Sequence, residues 1–261
     1  MAGGPRRLVI VGLGNYTHPM TKHSVGQVLL KNLALRAASC PGATGSPHLQ
    51  LTKAPTNARS QSWTTRICIS RNDSNTGIEQ DLELLFVLPK ALMNVCGKTI
   101  VDATHGFLLP PTTLPTPAPP PTATPSSLST STNSKKSGPA LKPIYKLLVL
   151  SDDLDLAPSA SRLQRAGGPK GHNGIRSLIS AMPKTATLGG GGTEKDFWRF
   201  WIGIGRPPNE QVRGQGVAKW VLGPLGRDEV RELEWDEDKE VGGKVLENAW
   251  KEVLRIGFEE E

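Results

Sequence analysis

The chain has 261 residues, enough for a sizeable core, with only 37% hydrophobic residues diluted by 22 Pro and 28 Gly. Its three cysteines, Cys40, Cys68 and Cys96, form no even set and no ligand spacing, which excludes a disulfide framework and a zinc site. The net charge of +7 is uneven: residues 226–261 carry 6 basic and 13 acidic groups, so the rest is net basic by about +14 and points to a polyanionic partner.

Leu8 to Leu13 (LVIVGL) is a β-branched run ending in glycine and predicts a central strand. From Ser24 onward, Val25, Val28, Leu29, Leu33 and Leu35 recur at helical spacing, so the N-terminus reads strand, loop, helix. Asn15 and His23 stand at the two ends of that loop. The run Gly12-Leu13-Gly14 begins a dinucleotide fingerprint, but Thr17 occupies the third glycine position, and a nucleotide-dependent oxidoreductase fails there. Arg6 and Arg7 precede an apolar stretch broken by Gly12, Gly14 and Asn15, which does not read as a targeting sequence.

Residues 38–60 are rich in Pro, Gly, Ser and Thr and are expected to form a loop. Trp63 to Ser70 and Glu83 to Leu88 read as strands, and Leu92, Val95, Ile100 and Val101 suit a following helix, with Asn94 near its start. The insert 110–139 is low-complexity Pro, Thr and Ser; it buries too little apolar surface to offset its ordering cost and is expected to be disordered. The Gly-rich loop 189–193 is expected to behave alike.

Leu147 to Leu150 predicts a buried strand that runs into Asp152, Asp153 and Asp155. A short segment with Arg162 and Arg165 follows, then a glycine-rich loop bearing His172 and Asn173, then a helix from Ile175 to Met182. Carboxylates at a strand's C-terminal end beside a loop entering a helix mark the ligand side of an open α/β sheet. Phe197 to Gly205 is a further strand, and Asp228 to Ile256 is charged and mostly helical. This order predicts an α/β protein, a single-domain α/β/α sandwich with a mixed twisted sheet across residues 1–261. No apolar run is long enough to cross a membrane, and the chain reads as soluble and intracellular.

Either His23 or His172 could act as a base near neutral pH, with a carboxylate such as Asp152 fixing its tautomer. The three asparagines Asn15, Asn94 and Asn173 all fall at strand-to-helix junctions, where an amide can serve a substrate carbonyl and its developing oxyanion. No GxSxG elbow is present.

Four blocks in order, VGLGN with TKHSVG, LPKALMNVCGK, SDDLDLAPS through GGPKGHNGIRSLIS, and WRFWIGIGRP with WVLG, resemble the bacterial-type peptidyl-tRNA hydrolase family. The resemblance implies hydrolysis of the ester joining a peptide to the 3′ end of tRNA, on a single α/β globule, as a monomer, with no metal and no cofactor. It implies His23 as the catalytic base and Asp152 as its carboxylate, with Asn15, Asn94, Asn173, Leu92 and His172 in the substrate-binding set. Leu92 stands where the family carries an aromatic residue. Lys22, Arg162, Arg165, Lys170 and Arg199 would hold the acceptor stem of the peptidyl-tRNA through phosphates. The implied compartment is cytosol or mitochondrion. The loop from Asn15 to His23 is about two residues shorter than the common form, and Ser24 replaces the commoner Asn. With the Pro-Thr-Ser insert and the acidic C-terminal end, these departures are read as those of a eukaryotic, fungal branch. The competing reading is a non-catalytic RNA-binding relative of the same fold.

Overall fold

A computed structural model describes residues 6–55, 57–72, 79–108, 146–165, 167–182, 197–208 and 214–258. The insert 110–139 and the glycine run 189–193 lie outside the described residues. The elements in order are β1 (Arg6–Gly12), α1 (Val25–Ala38), β2 (Thr44–Gly45), β3 (Gln50–Ala54), β4 (Asn57–Asn72), β5 (Glu79–Pro89) and α2 (Cys96–Leu108). Then come β6 (Lys146–Asp153), β7 (Ser161–Arg165), α3 (Asn173–Ala181), β8 (Phe197–Gly203), α4 (Gln215–Val221), α5 (Arg227–Arg231), β9 (Trp235–Asp236), β10 (Val241–Gly242) and α6 (Lys244–Phe258).

One eight-stranded mixed sheet runs in the order β2-β4-β5-β1-β6-β8-β7, with β3 also paired to β4. Strands β5, β1, β6 and β8 are mutually parallel, and β4 and β7 flank them antiparallel. The alternation of β1 sorts its side chains between two cores. Leu8 and Ile10 pack with Leu29, Leu30 and Leu33 of α1 on one face, whereas Val9 and Val11 pack with Ile100 of α2 and Ile175 and Leu178 of α3 on the other. The predicted α/β sandwich with a mixed sheet is therefore what the chain forms. No helix among the described residues is long and apolar enough to cross a membrane.

Helix α6 shows why the acidic C-terminal part still folds onto the sheet. Val245, Leu246, Ala249, Trp250, Val253 and Ile256 repeat at helical spacing and are buried. Each large apolar member contributes about 1.5–3 kcal/mol, and the acidic residues stay on the solvated side. Between α5 and α6 the chain forms the small hairpin β9–β10, which the reading of this region as mostly helical did not include.

The expected loop 38–60 is corrected by the structure: it contains β2, β3 and the start of β4. β3 exposes Gln50, Leu51, Thr52 and Lys53, so its composition resembles a loop while its backbone pairs along β4. Main-chain pairing at the sheet edge, not side-chain burial, makes it a strand.

Two close approaches fix the helices against the sheet and each other. A Cβ on Gly26 would stand 2.3 Å from the Leu150 carbonyl oxygen, so only glycine lets α1 lie on β6 at this distance. A Cβ on Gly97 would meet the Ser177 carbonyl oxygen at 2.1 Å, which sets α2 against α3.

Candidate active site

Three parallel strands deliver the site at their carboxyl ends, the side on which such sheets hold ligands. β1 leads into Asn15, β5 into the 3-10 turn Met93–Val95, and β6 ends in Asp152 and Asp153. His23 lies in the 3-10 turn Lys22–Ser24 that precedes α1, and His172 is the N-cap of α3.

Asp152 is the junction. His23 Nδ1 lies 2.8 Å and His172 Nε2 3.0 Å from the same carboxylate oxygen, Oδ1. His172 Nδ1 accepts from the Ile175 N–H at 3.3 Å, so its proton is on Nε2 and is donated to Asp152. His23 donates Nδ1–H to the same oxygen, and its Nε2 is left as the acceptor of the neutral ring. Burial disfavours the Asp152 charge, yet the two imidazoles hold its carboxyl well below the usual range. For His23, burial works against the cation, but the hydrogen bond and charge of Asp152 prevail and raise its pKa above 6.5.

The neighbouring aspartates are committed elsewhere. Asp153 accepts from Arg162 Nη2 at 3.1 Å and from the Asp155 N–H at 2.8 Å, and Asp155 pairs with Arg206. Of the cysteines, Cys96 is buried and its thiol is pushed up to about 12 by that burial, which removes it as a nucleophile.

The asparagines converge through their supports. Asn15 Oδ1 accepts from the Met93 N–H at 3.0 Å, tying the first loop to the turn that carries Asn94. A Cβ on Gly174 would lie 2.7 Å from Met93 Cγ and 3.1 Å from Leu13 Cδ1, so the start of α3, with Asn173, packs on that same turn. Asn94 and Asn173 are exposed, and Leu92 is 48% exposed beside them.

Several predicted residues stand differently. His172 has both ring nitrogens engaged and is buried, so it orients Asp152 rather than meeting substrate. Arg199 is fully buried on β8, over the rings of Phe197 and Trp201, and donates through Nη1 to the Gly168 carbonyl. A guanidinium enclosed this way braces the glycine loop and does not face a phosphate. Lys22 Nζ sits 2.7 and 2.8 Å from the two oxygens of Glu229 and above the Trp220 ring, so its charge is already matched. Arg165 and Lys170 are exposed along β7 and the loop after it, as is Arg162, whose charge is partly matched by Asp153 at 3.1 Å.

Sequence reasoning missed Ser24. Its Oγ accepts from the Asn15 N–H at 3.2 Å and donates to the His18 carbonyl at 2.8 Å, closing the short loop between Asn15 and His23. It also missed Gln27, whose buried carboxamide lies against Gly14. The substitution of Ser for Asn after His23 was the available signal for the first; a polar residue within an apolar helix stripe was the signal for the second.

A family model described as peptidyl-tRNA hydrolase matches residues 131–254. Among similar proteins, the peptidyl-tRNA hydrolase of Teredinibacter turnerae is 28% identical over 87% of this chain and 82% of its own length. That of Nocardia farcinica is 27% identical over 96% of this chain and 92% of its own. Among solved structures, a peptidyl-tRNA hydrolase in complex with N-propanol superposes with a TM-score of 0.52 at 22% identity, covering 95% of this chain and 87% of that one. The peptidyl-tRNA hydrolase from Acinetobacter baumannii gives 0.52 at 21% identity, covering 98% and 91%.

Proposed function

The chain belongs to the peptidyl-tRNA hydrolase family, and from that premise we propose that it hydrolyses the ester between a peptide and the 3′ end of tRNA. The observation that carries the reading is the 2.8 Å bond from His23 Nδ1 to buried Asp152, which leaves Nε2 as a base, while a bond from Met93 N–H ties Asn15 to the turn that carries Asn94. Nε2 takes a proton from water as its oxygen attacks the ester carbonyl. The imidazolium, stabilised by Asp152, then returns the proton to the departing ribose oxygen, giving free tRNA and a peptide carboxylate. Asn94 and Asn173 supply amide donors for the ester oxygen as it gains charge.

Asn15 explains why a blocked amino group would be required. Its carbonyl is held by the Met93 N–H, which leaves the NH₂ as the group it can offer a substrate. A peptide carbonyl accepts from that group, whereas a free ammonium meets donor against donor. Arg162, Arg165 and Lys170 bind phosphates next to the 3′ CCA end and acceptor stem, without reading bases. The protein acts as a monomeric single domain, in the cytosol or the mitochondrion, wherever translation supplies the ester.

A purely RNA-binding relative is disfavoured by the buried carboxylate itself. Keeping Asp152 ionised in the interior is costly, and two imidazoles are arranged to keep it so. Purified protein should release tRNA from N-acetyl-aminoacyl-tRNA and leave unblocked aminoacyl-tRNA largely intact. Release no greater than that of His23→Ala would sink the hydrolase reading.

A further inference from the structure

We propose that a cavity of about 440 Å³, between α1 and the β4–β5 side of the sheet, receives the side chain of the second peptide residue from the ester and favours a large apolar one. The proposal rests on the peptidyl-ester reading above. The cavity begins at Tyr16, the residue after Asn15, and runs between Gln27 and Leu35 of α1 and Trp63 and Leu88 of the paired strands β4 and β5. Tyr16 and Trp63 form an aromatic wall, their ring centroids 6.1 Å apart and tilted by 42°. A volume of this size accommodates a leucine or phenylalanine side chain with adjoining backbone.

Two further observations say what enters. Gln27 is only 4% exposed and lines the cavity, yet its Nε2 finds no hydrogen-bond partner among the described residues. A buried amide donor left unpaired is costly, and rotation of the Gln27 side chain would bring this enclosed Nε2 into the cavity, where a ligand carrying an acceptor would satisfy it. A peptide carbonyl is such an acceptor, and apolar walls around one donor are what a peptide segment requires. Among the described residues no carboxylate lines the cavity, and the Lys31 ammonium does, so cationic side chains are repelled.

Topology favours the peptide over the tRNA. The exposed cations Arg162, Arg165 and Lys170 belong to β7 and its loop at one edge of the sheet. His23 and Asp152 lie at β1 and β6, in the middle, and the cavity lies beyond them toward β4. With the phosphates on the β7 side and the ester at the centre, the other half of the substrate extends over Asn15 and Tyr16 into the cavity.

The test uses the whole protein and N-acetyl-X-Ala-tRNA with X as Leu, Phe, Gly or Lys. Leu and Phe should exceed Gly about tenfold in kcat/KM, and Lys should not exceed Gly. Trp63→Ala should abolish the gain from Leu and Phe while leaving X = Gly unchanged. Gln27→Leu keeps the packing and removes the donor; it should slow every dipeptidyl ester several-fold and spare N-acetyl-Ala-tRNA, which lacks the more distant carbonyl. Hydrolysis without discrimination among the X residues would overturn the proposal. So would an equal loss for every X in Trp63→Ala with weaker binding of deacylated tRNA, which would make the cavity a nucleobase site. Affinity for the matching non-hydrolysable 3′-amides separates the two readings. A preference for Leu over Gly without turnover would fault the hydrolase reading alone, and turnover without the preference would fault the cavity alone.

Discussion

His23 and His172 donate to one oxygen of Asp152 from rings whose centroids are 5.3 Å apart. Only one of the two imidazoles is free to act. His172 is locked by the Ile175 N–H, edge-on to Trp201, while His23 has a nitrogen to spare. His172→Ala should therefore leave the base in place but loosen its carboxylate. The expected result is a stability loss of about 1–3 kcal/mol and a reduced kcat at unchanged KM, read by thermal melts and steady-state kinetics.

Asp152→Asn should lower kcat by about 10²–10⁴-fold and leave tRNA affinity unchanged, because it removes the group that orients and charges His23. The pH profile gives the sign. His23 must be neutral to accept a proton, and its pKa lies above 6.5, so kcat should rise with pH through an apparent pKa above that value. In Asp152→Asn the raising influences vanish while burial stays, and the residual activity should hold to lower pH. An unmoved acid limb, measured between pH 5 and 9, about the window in which imidazole titrates, would assign it to another group.

Gly26→Ala should cost about 1–3 kcal/mol from overpacking, since the new methyl would meet the Leu150 carbonyl. Because Leu150 lies two residues before Asp152 and Gly26 three after His23, the shift should also widen the His23–Asp152 bond. Folded Gly26→Ala protein with parental kcat would show that the loop, not the helix seat, sets that distance.

The cations divide by burial. Arg165→Ala and Lys170→Ala should each weaken tRNA binding and reduce its salt slope by about one, as expected for a lost phosphate contact, whereas Arg162→Ala should change the slope less because Asp153 already partly matches its charge. Arg199→Met should keep the salt slope and lower the melting temperature, because the guanidinium holds the glycine loop from beneath. Titration of binding against salt, beside melting curves, checks both.

The sequence made β1, α1 and β6 legible because their burial is periodic, and periodicity is a local property. The roles of His23, Asp152 and Asn15 were reached through resemblance, and the structure supplies the bond between His23 and Asp152 and the one from Met93 N–H that holds Asn15. β3 was hidden because an edge strand stabilised by backbone pairing keeps its side chains polar. Arg199 was misplaced for the opposite reason: charge is read as exposure, although an arginine between Trp198, Phe200 and Trp201 announces a buried strand. Lys22 required Glu229, 207 positions away, and no local pattern reveals such a partner.

The first loop has a consequence for how this enzyme can change. Asn15 is anchored outward to Met93, and His23 is seated by the helix that Gly26 presses onto β6. The span between them, cinched by Ser24, carries neither anchor. Its second half is pinned through the backbone, Met20 and Lys22 bonding with Leu225 and Gly223, so drift in length that spares the base and the amide is confined to residues 16–19. Variation in that span is therefore free to reshape Tyr16 and the wall it forms with Trp63, so that preference for the peptide can evolve while the chemistry is left alone.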